Sequence, residues 1–163
     1  MTTNVFDVLS ERGFIEQVSD AEGVRAAVQQ PITCYVGFDP SASSFHVGSL
    51  VPIMALAHMQ RHGHRPIAIV GGGTGMVGDP SDRDEMRRLL TLEQIDANLV
   101  SLKAQMSNLL DFSEGRALMI NNADWLRPLK YLEFLRDIGR HFSVNRMLAA
   151  EGYRRRYRSE GGL

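Results

Sequence analysis

Three short apolar runs, "ITCYVGF", "PIAIVGGG" and "ALMIN", are separated by longer segments whose apolar residues recur every three or four positions. The runs are rich in β-branched and aromatic residues and read as buried strands. Between the first two, Leu50, Ile53, Met54 and Ala57 share one helical face from His46 to His62, with Pro52 near the opening turn and Gly63 as the stop. Between the last two, Leu92, Ile95, Leu99, Leu102, Met106 and Leu109 do the same, behind a capping box of Thr91 and Gln94. Strand, helix, strand, helix, strand predicts an α/β fold with a parallel sheet and flanking helices.

The flanks add helices. "NVFDVLSERG" predicts a short helix stopped by Gly13, and Ser19 with Glu22 predicts a capping box for a second, ending near Gln30. Residues 1–30 thus read as an amino-terminal helical segment ahead of the α/β part at 31–163. After the third strand, "PLKYLEFLRDIGRHF" and "VNRMLAAEGYRRRYR" read as helices.

With 163 residues the chain suits one domain. A net charge of −1 argues against a general polyanion-binding surface. The single cysteine, Cys34, excludes an internal disulfide framework and fits a reducing cytoplasm. No apolar run approaches the roughly 20 residues a membrane helix needs, so a soluble protein without membrane contact is expected.

Ligands of open α/β sheets sit at the carboxyl ends of the strands, and two consecutive joints there are unusual. The first, "YVGFDPSASSFHVGSL", makes a poor core and reads either as a surface turn or as a place where an anion meets the start of a helix. A helix starting at His46 offers unpaired N–H groups and a partial positive charge, His46 adds a donor, and Gly48 lets a flat ring or sugar approach the helix backbone.

The second joint, "VGGGTGMVGDPSDRDEMRR", holds five glycines between Gly71 and Gly78, which suit close backbone approach to a ligand. Gly73-x-Gly75-x-x-Gly78 satisfies the dinucleotide fingerprint literally, but it runs into Asp79-Pro80, and Glu93 falls within a helix where the fingerprint needs an acidic strand end. A phosphate-loop Lys-Ser/Thr is also missing, so a nicotinamide enzyme and a P-loop NTPase are both disfavoured.

His46-Val47-Gly48-Ser49 resembles the HIGH signature of class I aminoacyl-tRNA synthetases. The surrounding segment from Tyr35 to Ser81, together with "NNADWL" and "FLRDIGRHFSVNRMLA", resembles the bacterial tyrosyl enzymes of that class, with the likeness running from about Val5 to Leu163. The resemblance implies the first half of a Rossmann-like nucleotide-binding fold. It also implies activation of tyrosine by ATP, with Mg2+ accompanying the nucleotide, and transfer to tRNA(Tyr). Neither a tightly bound cofactor nor a protein-held metal is expected, and homodimers are.

Site roles follow from the same resemblance. Tyr35 corresponds to the residue that hydrogen-bonds the substrate phenol, and Asp79 to the carboxylate that pairs with its ammonium. Gly37 and Asp39 correspond to residues whose backbone lines the adenylate, and Gly48 and Ser49 to nucleotide contacts. His46 and Ser41 match the pair that stabilises the pyrophosphate end of ATP in the transition state. Arg83 and Arg87 match a basic loop that closes on pyrophosphate. Such chemistry needs no nucleophilic side chain, because positioning and charge stabilisation suffice.

Departures from the pattern are Ser49 for the second histidine of HIGH and Val36 for a frequent cysteine, which alter two ribose contacts. The KMSKS-type loop, the Tyr-x-x-x-Gln helix and the anticodon-binding and carboxy-terminal regions are expected beyond Leu163, so the 163 residues alone are expected to be inactive or nearly so. "YRRRYR" reads as a tRNA phosphate contact or as a solvated helix face, the latter favoured by Glu151 and Glu160. Two rivals stay open: a small nucleotidyltransferase of the HIGH superfamily, and a non-catalytic module binding tyrosine or a nucleotide.

Overall fold

A computed structural model describes residues 4–77 and 91–150, with Tyr153, Arg154 and Tyr157. Its elements divide into two compact units, one running to Asp124 and one from Trp125 onward.

The first unit is built on a three-stranded parallel sheet in the order β1-β2-β3, formed by β1 (Thr33–Phe38), β2 (Arg65–Val70) and β3 (Leu118–Asn121). Tyr35 pairs with Ile67 and Ile67 with Leu118, while Phe38, Val70 and Asn121 end the three strands in register. All three carboxyl ends therefore lie at one edge of the unit. Parallel strands need crossovers, and α3 (Val47–Arg61) supplies the first while α4 (Gly72–Val77) and α5 (Leu92–Met106) lie in the second.

Alternation along β1 sorts its side chains. Cys34, Val36 and Phe38 pack into an apolar cluster with Ile53, Leu56 and Ala57 of α3, Ala68 of β2, Met106 at the end of α5 and Leu110 just beyond it. Tyr35 and Gly37 point to the opposite face, where both are exposed. A second cluster joins Val5 and Phe6 of α1 (Val5–Glu11), Val28 and Met59. Burying Leu56, Ile95, Leu102 and Met106 almost completely removes about 1.5–3 kcal/mol worth of apolar surface per side chain from water.

Several sequence expectations hold to within a residue, notably β1, α3 with its stop at Gly63 (φ +88°), and the Thr91–Gln94 capping box. Others need correction. The second helix, α2 (Ala21–Ala27), is capped by Asp20, whose carboxylate accepts from the Gly23 N–H, and not by Ser19. Its C-cap is Val28, ahead of Gln30.

The glycine joint after β2 is not an extended loop at its start: the chain turns into α4 at Gly72. Gly71 closes the turn by donating to the Phe38 carbonyl at 2.9 Å, and its own carbonyl accepts from Gly75 at 2.8 Å. Glycine suits position 72, because a Cβ there would force the Asn121 side chain to move.

α6 (Ala123–Leu126) leads out of the first unit. The second unit holds α7 (Tyr131–Asp137), a 3₁₀ turn at Gly139–His141 and α8 (Val144–Ala149), so the expected continuous helix through "PLKYLEFLRDIGRHF" is interrupted at Ile138-Gly139. Among its described residues none is buried, and Tyr131, Leu132 and Phe142 are exposed.

Candidate functional site

The joint from β1 to α3 encloses a cavity of about 270 Å³ at the carboxyl end of the sheet. Gly37, Asp39, Ser41, His46, Gly48 and Ser49 all line it, together with Pro52. Six residues singled out along 13 positions of sequence thus face one space. Gly37 has open space where a Cβ would stand, so the strand end leaves the cavity floor bare. Tyr35 lies two residues earlier on the same strand face, 70% exposed.

His46 is the N-cap of α3. Its backbone is extended (φ −86°, ψ 167°), its carbonyl accepts the first helical bond from Ser49 at 3.0 Å, and its side chain caps nothing. The imidazole instead folds against Gly48, whose missing Cβ would stand 3.0 Å from both Cε1 and Nδ1. The bare Gly48 backbone leaves room that the His46 ring takes up. Pro52, four residues on, cannot donate to the Gly48 carbonyl, so the first turn of α3 is held more loosely than a regular one.

The second joint comes up against the first. A Cβ on Gly71 would stand 2.7 Å from Thr74 Oγ1 and 3.3 Å from Asp39 Oδ1, which sets Asp39 beside the start of α4. Asn122, just past β3, accepts from the Gly73 N–H through Oδ1 at 2.7 Å and donates through Nδ2 to Thr74 Oγ1 at 3.1 Å. The carboxyl ends of β1, β2 and β3 are thereby tied together by polar contacts. Asp79, Arg83 and Arg87 lie outside the described residues. Among the described residues no group of three or more His, Cys, Asp or Glu comes together to hold a metal ion.

Sequence reasoning missed the side chains that brace the cavity from α5. Asn98 Nδ2 donates to the Pro40 carbonyl at 2.8 Å, and Gln105 both donates to the Ser43 carbonyl at 2.9 Å and accepts from the Phe45 N–H at 3.1 Å. Their only local signal is polarity inside an otherwise amphipathic helix. At the opposite end of the sheet, buried His64 accepts from the Ile32 N–H through Nδ1 at 3.3 Å, which requires the neutral ring. Burial and the nearby His62 hold the His64 imidazolium below its ordinary pKa, and burial with Arg12, Arg61 and His62 does the same to His58.

Residues 27–163 match the profile of the tRNA synthetases class I (W and Y). The chain belongs to that family. Within it, the chain is 62% identical over 161 residues to a tyrosine–tRNA ligase of Desulfosudis oleivorans, covering 98% of this chain and 37% of that relative. It is 56% identical to one of Fusobacterium nucleatum, covering 98% of this chain and 39% of the other.

Among solved structures, a C-terminally truncated mitochondrial tyrosyl-tRNA synthetase of Aspergillus nidulans superposes with a TM-score of 0.84 at 27% identity, over 99% of this chain and 49% of that one. A tyrosyl-tRNA synthetase of Archaeoglobus fulgidus complexed with L-tyrosine shares the fold, with a TM-score of 0.58 at 20% identity over 80% of this chain and 38% of that one. The chain spans less than two fifths of the length of the two curated relatives named above. Among the described residues no helix is long and apolar enough to cross a membrane.

Proposed function

We propose that this chain carries the nucleotide-binding and tyrosine-recognition part of a tyrosine–tRNA ligase, which joins tyrosine to AMP and passes it to tRNA(Tyr). The carrying observation is the single cavity that gathers Gly37, Asp39, Ser41, His46, Gly48 and Ser49 at the carboxyl end of β1. In the reaction a tyrosine carboxylate oxygen bonds to the α-phosphorus, the bond to the bridging oxygen breaks, and pyrophosphate leaves with its charge.

The residues suit that charge flow. Backbone at Gly37 and Asp39 lies against the adenylate, while His46 and Ser41 donate to the leaving pyrophosphate, where added negative charge makes each donor count most. Ser49 offers a hydroxyl to the ribose, and Val36 offers none. Tyr35, next to Gly37 on the open strand face, donates to or accepts from the substrate phenol. Rejecting phenylalanine then follows from leaving that hydroxyl unpaired. Asp79 pairs the substrate ammonium, and Arg83 and Arg87 close on pyrophosphate. Mg2+ arrives with ATP as part of the substrate.

The family's homodimeric habit is supported by the exposed apolar side chains of α7, Leu132, Phe134 and Leu135. Cytoplasmic residence and a helical segment at 1–30 ahead of the catalytic half at 31–163 complete the assignment. Titration calorimetry tests it: the chain should bind ATP, lose most of that binding in His46→Ala, and prefer tyrosine to phenylalanine in the presence of ATP. Absence of ATP binding, or ATP binding indifferent to His46→Ala, overturns it. Pyrophosphate exchange by these 163 residues alone should be slight.

A further inference from the structure

Segment 40–45 carries Ser41 and leads into His46, yet no regular element holds it in place. Its anchors lie on α5, about 60 residues away. Asn98 and Gln105 are seven positions apart, two helical turns, and so share one face of that helix. Asn98 takes the Pro40 carbonyl (2.8 Å), and Gln105 takes the Ser43 carbonyl (2.9 Å) and the Phe45 N–H (3.1 Å).

The consequence lies in peptide geometry. In a trans peptide unit the C=O and the following N–H point in opposite directions. Turning the Pro40 carbonyl toward α5 turns the Ser41 N–H away from it, and turning the Ser43 carbonyl toward α5 does the same to the Ser44 N–H. Ser41 and Ser44 are the two serines of this segment that line the cavity. No residue of α5 lines the cavity, so the two carbonyls are drawn off toward the brace, which leaves the Ser41 and Ser44 N–H dipoles to attract an anion. The Phe45 link has the opposite sense and leaves the Ser44 carbonyl as an acceptor, which suits a nucleotide hydroxyl.

We propose that Asn98 and Gln105 are positioning residues for the phosphate end of the nucleotide, acting through the backbone amides of Ser41 and Ser44; this rests on the cavity being the nucleotide site. Neither side chain need touch the ligand. Their effect is confined to ligands that bring phosphate.

Asn98→Leu and Gln105→Met keep the side-chain shape and do not lower helix propensity while removing the amide groups. Each should weaken binding of ATP and of inorganic pyrophosphate by about three- to tenfold, the worth of a lost hydrogen bond, and leave adenosine unchanged. A thermal melt of each variant confirms folding, and Asn98→Ala stands in if the leucine variant fails to fold. If ATP and adenosine weaken together, or neither changes while the unaltered chain binds ATP better than adenosine, the inference is overturned and the nucleotide site stands. If the unaltered chain gains nothing from phosphate over adenosine, the nucleotide site itself fails, and the inference with it.

Discussion

The imidazole of His46 rests against the Cα of Gly48, with Cε1 and Nδ1 each 3.0 Å from where a Cβ would stand. Gly48→Ala therefore pushes the ring aside by a few tenths of an ångström. Because the ring is the free end of a side chain and alanine favours helix by about 1 kcal/mol over glycine, stability should hold or rise slightly. Binding of ATP should nevertheless fall, since the displaced imidazole no longer faces the cavity as it did. A melt and an ATP titration on the same variant check both halves.

Asn122 supplies the buried Gly73 N–H with its acceptor at 2.7 Å, in effect capping α4 from the end of β3. Asn122→Ala leaves that donor unpaired and should cost about 1–3 kcal/mol. Urea unfolding should show a lower midpoint with an unchanged slope; a midpoint equal to that of the parent chain would mean that water replaces the amide without loss.

Gln60 is buried and makes a reciprocal pair with the Asp111 backbone, donating to its carbonyl at 2.8 Å and accepting from its N–H at 2.9 Å. Gln60→Leu removes both partners of a backbone that must turn there, and about 2 kcal/mol of stability should go with them. Hydrogen exchange at the Asp111 amide should accelerate in the variant.

His58 and His64 have folded-state pKa values below their ordinary value of 6.5. The unfolded chain consequently binds more protons than the folded one as pH drops through that value, so stability is full above it and declines below. Comparing unfolding at about pH 7.5 and about pH 5.5 should reveal the loss. His64→Gln, which keeps an acceptor for Ile32 without a titrating ring, should flatten part of it.

Much of the scaffold was legible because it rests on local rules. A short run of β-branched and aromatic residues located β1, a period of 3.6 located α3, and the Thr91–Gln94 box is a contact between near neighbours. The rule that parallel sheets bind at strand carboxyl ends pointed to the joint with His46 and Gly48, while Gly37, Asp39, Ser41 and Ser49 were named by the family resemblance. Asp20 displaced Ser19 as a cap because both residue types serve, and only backbone geometry chooses between them. α4 escaped notice because glycine weakens helix propensity, whereas here the Asn122 side chain accepts from the Gly73 N–H and holds the first turn. Asn98 and Gln105 were invisible for a related reason: a side chain reaching a backbone about 60 positions away leaves no periodic trace.

That long reach sets a limit on transplanting the segment. Residues 37–52 moved alone into a foreign α/β host would bring the histidine and the glycines but leave the brace behind. A graft would have to import a matching pair of amides from a neighbouring helix. The smallest portable unit is therefore two stretches far apart in the chain, and a peptide copied from either one is an ordinary floppy ribbon.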